Sequence, residues 1–339
     1  MINIGIIGCG EWGPNHLRVF SQLHNSCVRM AADLNSVRLE SMQKLYPNTI
    51  FTKDYKEILD NDAIDAVCIA VPTSAHYRIA REALSRGKHV LCEKPLALKI
   101  GHCEDLIKIA GKKKLILMVG YIYLFNESIR KIKDYIDQGK LGDIQYMHSE
   151  RANLGPFRYD INALWDLAPH DVSIFNYLLG SMPIEVSACG AKYLFKDRED
   201  LAFITLRYKN NVTVNIHVSW LSPRKVRDIT IIGDEKMLVF NDIDEKIPIM
   251  IYNKHVEKTK KYYSTFKEFL ILAKWGRTIR PAIKISEPLL VQDLYFLESI
   301  RNKEQPEIAN GEFALNVTKI LIDIQKSMDK NGTPIKIIK

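Results

Sequence analysis

The sequence predicts two architectures in series: an α/β region on a doubly wound parallel sheet, then an α+β region on a large, open, mostly antiparallel sheet. Three observations predict this. From Ile2 to about Val119, short apolar runs alternate with helix-length stretches, the pattern of parallel strands joined by crossover helices. Where the first run meets the first helix stands Gly8-Cys9-Gly10-Glu11-Trp12-Gly13. From Glu185 the period becomes two: Val212, Val214, Ile216, Val218 and Trp220 alternate with Thr213, Asn215, His217 and Ser219. One face of that sheet therefore packs on helices and the other is polar. The 339 residues suffice for two cores, with 1–120 as the first domain, 121–339 as the second, and the last helix packing back on the first.

Taken in order, Ile2 to Ile7 is a buried-type strand and Pro14 to Gln22 a helix. Between them, Gly8 permits a tight turn, Gly10 lets a pyrophosphate approach the backbone, and Gly13 allows close helix–strand packing. The helix N-terminus then faces the anion. Asp33 ends the next apolar run, 20 residues beyond Gly13, where a carboxylate accepts from ribose hydroxyls. This is a Rossmann dinucleotide fingerprint in its full context. Asp33 would repel a 2′-phosphate and no Arg stands immediately beside it, so NAD is expected rather than NADP; Arg38, further on, is the residue that could oppose this.

Ala66 to Val71 is the next strand, ending at Pro72-Thr73-Ser74-Ala75-His76 before a helix to about Arg86. His76 is compatible with a cofactor contact or with a plain first-turn helix residue. Lys88 to Cys92 leads into Glu93-Lys94-Pro95, at the carboxyl end of a strand, where open α/β sheets place ligands. Pro95 pushes Lys94 into an extended conformation, and Glu93 offsets part of the cost of burying an ammonium. Alone, the tripeptide is equally compatible with a salt-bridged surface turn. A helix over about 101–113 and a strand over 115–119 complete the region.

Beyond residue 120 the sequence predicts a helix from Asn126 to Gln138 ended by Gly139, a strand from Ile144 to Arg151, and a helix from Trp165 to Leu179 closed by Gly180. Asn210-Asn211 reads as a hairpin turn between Ala202–Tyr208 and Val212–Trp220. Strands follow at about 227–233, 236–240 and 247–252, then a basic, aromatic stretch, 255–284, that fits a long loop or an arm. Helices over 289–301 and 312–330, with Asn331-Gly332 as the stop, end the chain.

The net charge of +8 is spread along the chain, which suits an anionic small substrate and does not argue for nucleic acid. The six cysteines have no disulfide-framework or metal-ligand spacing, so free thiols in a reducing, cytoplasmic compartment and no metal are expected. Met1 leads straight into a strand, predicting no signal peptide, and no apolar run approaches the roughly 18 residues of a membrane span.

Trp165-Asp166-Leu167-Ala168-Pro169-His170-Asp171 is the second stretch with chemistry in it. Asp166 and His170 are four apart and share a helix face, where a carboxylate fixes an imidazole's tautomer and raises its basicity, although Pro169 disturbs the first turn. A satisfied His near an acidic helix start explains the same residues. The combination Gly8-x-Gly10-x-x-Gly13, Asp33, Val71-Pro72-Thr73 with His76, Glu93-Lys94-Pro95 and Asp166-x-x-x-His170 resembles the glucose–fructose oxidoreductase / inositol dehydrogenase (Gfo/Idh/MocA) family over nearly the whole chain. The resemblance implies cofactor contacts from Gly8, Gly10, Glu11, Trp12, Gly13, Asp33, Val71, Pro72, Thr73, His76, Glu93 and Lys94. It implies Lys94 and His170 flanking the substrate carbon and the nicotinamide, with Asp166 supporting His170. It also implies a substrate site drawn from Lys94, Tyr121, Arg151, Trp165, His170 and Arg224. One departure stands out: many members have Asp three residues after the His, where this chain has Ser173, and Asp171 follows the His directly.

Trp165 to Ser173, Val218 to Arg227 and Glu287-Pro288-Leu289 further resemble the branch acting at C3 of a UDP- or TDP-linked sugar. The implied function is NAD-dependent oxidoreduction at C3 of a nucleotide-linked amino sugar. Guanidinium forks suit phosphate oxygens, so Arg224, Lys225 or Arg227 is compatible with a diphosphate contact, joined by Tyr or Arg residues of 255–285; a solvated basic turn explains the same residues. A dehydrogenase of free inositol or free sugar is the alternative enzyme. A non-catalytic NAD-sensing regulator is the alternative of another class, and intact Lys94 and His170 argue against it. The resemblance implies a homodimer or homotetramer. An uncovered sheet face near Tyr208 and Trp220 is the expected contact.

Overall fold

The computed structural model describes residues 1–256 and 273–337. The chain divides into two compact units, 1–125 with 286–322, and 126–285 with 323–339. The second domain is thus not one continuous segment from 121: the chain rejoins the first unit at Ser286 and leaves it again after Ile322, part-way along the last helix.

The first unit runs β1 (Ile2–Ile7), α1 (Gly13–Gln22), β2 (Ser26–Ala32), α2 (Ser36–Leu45), β3 (Ile50–Thr52), α3 (Tyr55–Asp60), β4 (Ala66–Ile69), α4 (Thr73–Ser85), β5 (His89–Glu93), α5 (Ile100–Lys113) and β6 (Leu117–Gly120). All six strands are parallel, in the order β3-β2-β1-β4-β5-β6. The order reverses between β1 and β4, which makes their carboxyl ends the ligand crevice of a doubly wound sheet. β4 is wholly buried and β5 nearly so, as strands covered on both faces must be.

The second unit begins with α6 (Glu127–Asp137), capped by the Asn126 side chain on Ser128 N and Ile129 N. β7 (Ile144–Leu154) and α7 (Ala163–Leu179) follow, then β8 (Glu185–Ala191), β9 (Leu201–Arg207), β10 (Thr213–Ser219), β11 (Leu221–Gly233), β12 (Met237–Asn241), β13 (Ile249–Val256) and β14 (Ala273–Ile279). With β15 (Ile335–Lys336), the order is β14-β13-β12-β11-β7-β10-β9-β8-β15. The β9–β10 turn has Asn210 and Asn211 at φ 63° and 66°, which asparagine tolerates. The central β7–β10 pair is parallel, within an otherwise antiparallel sheet; α7, β8 and β9 lie between the two strands in the chain. The stretch read as a loop or arm contains β14, paired with β13; the remainder, 257–272, lies outside the described residues.

Ala202, Ile204 and Leu206 of β9 and Val214, Ile216 and Val218 of β10 are buried on the face that carries α7. Tyr208 and Trp220 share that parity and are buried as well, and Tyr208 Oη donates to Asn176 Oδ1 on α7 at 2.9 Å. They are therefore not the aromatics of the uncovered face. Phe203 (51% exposed) and Tyr146 (48%) hold that position. α8 (Pro288–Asn302) belongs to the first unit, which α9 (Gly311–Asp329) leaves after Ile322.

Candidate active site

In the first unit the glycine loop has the form its sequence requires. Gly8 sits at φ +98°, and a Cβ there would stand 2.3 Å from Ala70 O. A Cβ on Gly13 would lie 1.8 Å from Gly8 O, so the helix approaches as closely as it does only with glycine. A Cβ on Gly10 would meet, among the described residues beyond its chain neighbours, only an Arg38 nitrogen at 3.8 Å, which leaves the open side a phosphate needs. Trp12 caps α1 with no side-chain hydrogen bond, and Glu11 is exposed. Asp33 is held by two backbone donors, Cys9 N to Oδ2 at 2.7 Å and Asn35 N to Oδ1 at 2.8 Å, with lone pairs to spare for ribose hydroxyls. Arg38 does reach it, Nη1 to Oδ2 at 3.6 Å, and so neutralises part of its charge. Cys9 is no nucleophile: burial and the neighbouring Asp33 push its thiol up to about 12. These residues fit NAD.

At the β4 end, Val71 is half-buried, Pro72 exposed and Thr73 buried at the start of α4. His76, expected as a cofactor contact, is held by the backbone of two strand ends. It is buried, with Nδ1 2.8 Å from Pro95 O and Nε2 2.9 Å from Val71 O, and so braces two neighbouring strand ends. Glu93, the last residue of β5, and Lys94 just after it are both half-buried, and the Lys94–Pro95 bond is cis. Tyr121 is a core residue. It is fully buried, its ring stands edge-on to Phe313 at 5.6 Å, and its phenol, driven well above its usual pKa by burial, has no hydrogen-bond partner among the described residues.

In the second unit, α7 starts at Ala163 because Asn162 caps it, its Oδ1 accepting from Trp165 N at 3.1 Å while its Nδ2 donates to Glu199 and Gln325. Pro169 thus lies inside the helix rather than in its first turn. Trp165, Asp166 and His170 are half-buried. The Asp166 carboxylate accepts from Trp220 Nε1 at 3.1 Å and lies 3.7 Å from Arg158. Sequence reasoning missed both anchors, Trp220 because its period-two position marked it only as core. Ser173 Oγ donates to the His170 carbonyl at 2.7 Å. Asp171 and Arg151 take each other: Arg151 Nε and Nη2 lie 2.8 and 3.3 Å from the two carboxylate oxygens, and both side chains are buried. Arg151, expected in the substrate site, is thus engaged by the carboxylate that directly follows His170.

The exposed Arg224 and Lys225 sit in a bulge. Leu221 pairs with Leu154 and Val226 with Ala152, so four residues of β11 face Asn153 alone. Arg227 lies 3.4 Å from Asp242. Beside the bulge, Phe157 meets Trp220 edge-on at 6.3 Å and Phe195 at 6.5 Å, and Tyr159 meets Phe195 at 6.1 Å.

Residues 2–121 match the model of the oxidoreductase family with an NAD-binding Rossmann fold, and residues 129–239 match that of the GFO/IDH/MocA C-terminal domain. The chain belongs to the Gfo/Idh/MocA family. Its first unit is the family's NAD-binding domain. An uncharacterized oxidoreductase of Bacillus subtilis, YrbE, is 29% identical over 216 residues, 61% of this chain and 63% of that one. The chain thus spans less than two thirds of that relative's length. The UDP-N-acetylglucosamine 3-dehydrogenase of Acidithiobacillus ferrooxidans is 27% identical over 68% of this chain and 71% of its own. The myo-inositol 2-dehydrogenase of Thermotoga maritima is 25% identical over 62% and 66%. Among solved structures, the A. ferrooxidans enzyme superposes with a TM-score of 0.82 at 22% identity, covering 97% of this chain and 98% of that one. Levoglucosan dehydrogenase with NADH and levoglucosan superposes at 0.85 and 19%, covering 100% of both. These two likenesses are of fold. No described helix is long and apolar enough to cross a membrane.

Proposed function

We propose that the protein is an NAD-dependent oxidoreductase that moves hydride between the cofactor and C3 of a nucleotide-linked amino sugar. The observation that carries the sugar-nucleotide part is the bulge: it exposes Arg224 and Lys225 just beyond Trp220, whose indole holds Asp166 of the D-x-x-x-H helix. Cations at that place suit a diphosphate, which free inositol and free sugars lack. Exposed rings at Phe157 and Tyr159 add a surface for a base. The A. ferrooxidans relative, named for UDP-N-acetylglucosamine, supports this reading; the T. maritima relative, named for myo-inositol, supports the free-polyol alternative.

Oxidising a secondary alcohol takes a hydride from carbon and a proton from oxygen. NAD, when bound, supplies the hydride acceptor. His170 is assigned as acid/base, since an imidazole starts near the pKa that proton transfer at neutral pH favours. Asp166 is its orienter. Lys94 donates a hydrogen bond to the developing alkoxide and relays the proton. The assembly is read as a homodimer or homotetramer joined through the uncovered sheet face. A cytoplasmic setting suits free cysteines, four of them buried.

The test is a panel of nucleotide sugars, free sugars and inositols, with ketone trapping as the readout and free UDP as competitor. Turnover of a nucleotide sugar with competition by UDP is expected. Turnover of a free polyol that UDP does not affect would replace the reading with its alternative.

A further inference from the structure

Behind Glu93-Lys94-Pro95 lies a run of buried charge for which the site as described has no use. His16, in the first turn of α1, is fully buried. Its Nε2 lies 3.0 Å from Glu93 Oε1, and its Nδ1 lies 2.9 Å from Oδ2 of Asp293, a fully buried residue of α8. Gln292 Nε2 donates to Asp293 Oδ1 at 3.3 Å. At the other end, Glu93 Oε2 accepts the Lys94 backbone N–H at 3.3 Å. Gly120 flanks the Glu93 carboxylate so closely that a Cβ there would stand 2.9 Å from Oε1.

Each ring nitrogen of His16 faces a carboxylate, and both can donate only in the imidazolium form. Burial alone would strip that proton. The Asp293 carboxyl opposes this and His16 is held above its usual pKa, while burial raises Asp293 itself and the neighbouring Cys68 thiol. The imidazole is therefore clamped between two carboxyl groups, one at each ring nitrogen. The inner end of the array, Asp293, has no exposed surface, so it does not conduct protons to solvent. What it does is fix a carboxylate beside the residue assigned to the alkoxide.

We propose that His16, backed by Asp293, is a positioning residue of the active site: it holds the Glu93 carboxylate, and through it the Lys94 main chain, in the arrangement that cofactor binding and hydride transfer require. The kinetic half of this rests on the function proposed above; the cofactor half does not. A buried Asp that sets an imidazole, which in turn sets the acting group, is the logic by which supporting partners tune reacting residues.

The experiment compares full-length wild type with His16→Leu, His16→Gln and Asp293→Asn, by thermal midpoint, by calorimetric titration of NAD, and by kcat and KM on the best nucleotide sugar. His16→Leu is expected to lower kcat by about 10–100-fold, the usual cost of losing a supporting partner, with substrate KM nearly unchanged and NAD binding about tenfold weaker. His16→Gln, whose amide can still donate to Glu93, is expected to recover part of both losses. Asp293→Asn removes the charge that raises the His16 pKa. His16 then deprotonates within the working range, and NAD affinity and kcat fall as pH rises from about 6 to 9, beyond any slope of the wild type. Should the Leu variant fail to fold, the Asp293→Asn profile decides alone. NAD affinity and kcat within twofold of wild type for the Leu variant, equal damage by Leu and Gln, or a wild-type pH profile for Asp293→Asn would each overturn the proposal. If wild type turns over no nucleotide sugar, the functional reading fails, and the NAD titrations of the three variants still decide whether His16 positions Glu93 for cofactor binding.

Discussion

Lys94 and His170 carry the proposed proton chemistry, so losing either should be costly in one particular way. Lys94→Ala and His170→Ala are each expected to lose about 10²–10⁴-fold in turnover, the usual contribution of a positioned acid or base, while NAD affinity changes little. Near wild-type turnover in His170→Ala would leave Lys94 as the only acid/base. Asp171, the next residue along, behaves differently because its partner is Arg151. Asp171→Ala removes a buried carboxylate from the Arg151 guanidinium and is expected to lower folding stability by about 3–5 kcal/mol. Chemical denaturation measures this directly. Whatever enzyme remains folded should keep far more activity than His170→Ala, because the lost carboxylate belongs to the framework. An Asp171→Ala protein of unchanged stability and abolished turnover would put Asp171 in the chemistry instead.

At the scale of the element, α7 is set by its cap. Asn162 holds Trp165 N and also reaches Glu199 and Gln325, so Asn162→Ala is expected to cost somewhat more than the ~1 kcal/mol of a simple N-cap, and to lower turnover by loosening the turn that carries Asp166. A thermal shift with no kinetic effect would limit the residue to stability. Much at this scale was legible in the sequence. The caps at Asn126 and Gly180 and the stop at Asn331-Gly332 place helix ends within two residues of those observed, because capping is local chemistry. Periodicity also marked the buried face of β10. It does not name a strand's neighbour, and so the parallel β7–β10 pair was not legible. Nor was β14, whose sequence AKWGRTI has no period and which is a strand through pairing with β13. His16 and Asp293, 277 residues apart, left one trace each: a histidine on the apolar face of α1, and a Gln-Asp pair inside the apolar stripe Leu289, Phe296, Leu297 of α8. Polar groups at core-facing helix positions are the signal by which such arrays can be sought.

For the whole molecule, the proposed assembly is tested at the uncovered face of the second unit's sheet. Phe203 stacks on His217 at 4.5 Å and stands half-exposed with Tyr146. Phe203→Glu, which sets a charge in that face, is expected to shift the sedimenting species from dimer or tetramer to monomer at micromolar concentration. A wild type that is already monomeric there would remove this surface from consideration. The placement of the indoles has a consequence of another kind. Trp12 caps α1 within the glycine loop, Trp165 lies in the first turn of α7, Trp220 donates to Asp166, and Trp275 is largely exposed. The protein thus carries its own optical reporters. Emission from Trp12 overlaps the absorbance of a reduced nicotinamide, and the emission of Trp220 depends on the charge of the carboxylate its N–H binds. With Trp275 replaced by Phe to darken the background, arrival of cofactor and redistribution of charge around Asp166 become separate signals, readable in a stopped-flow trace without any label.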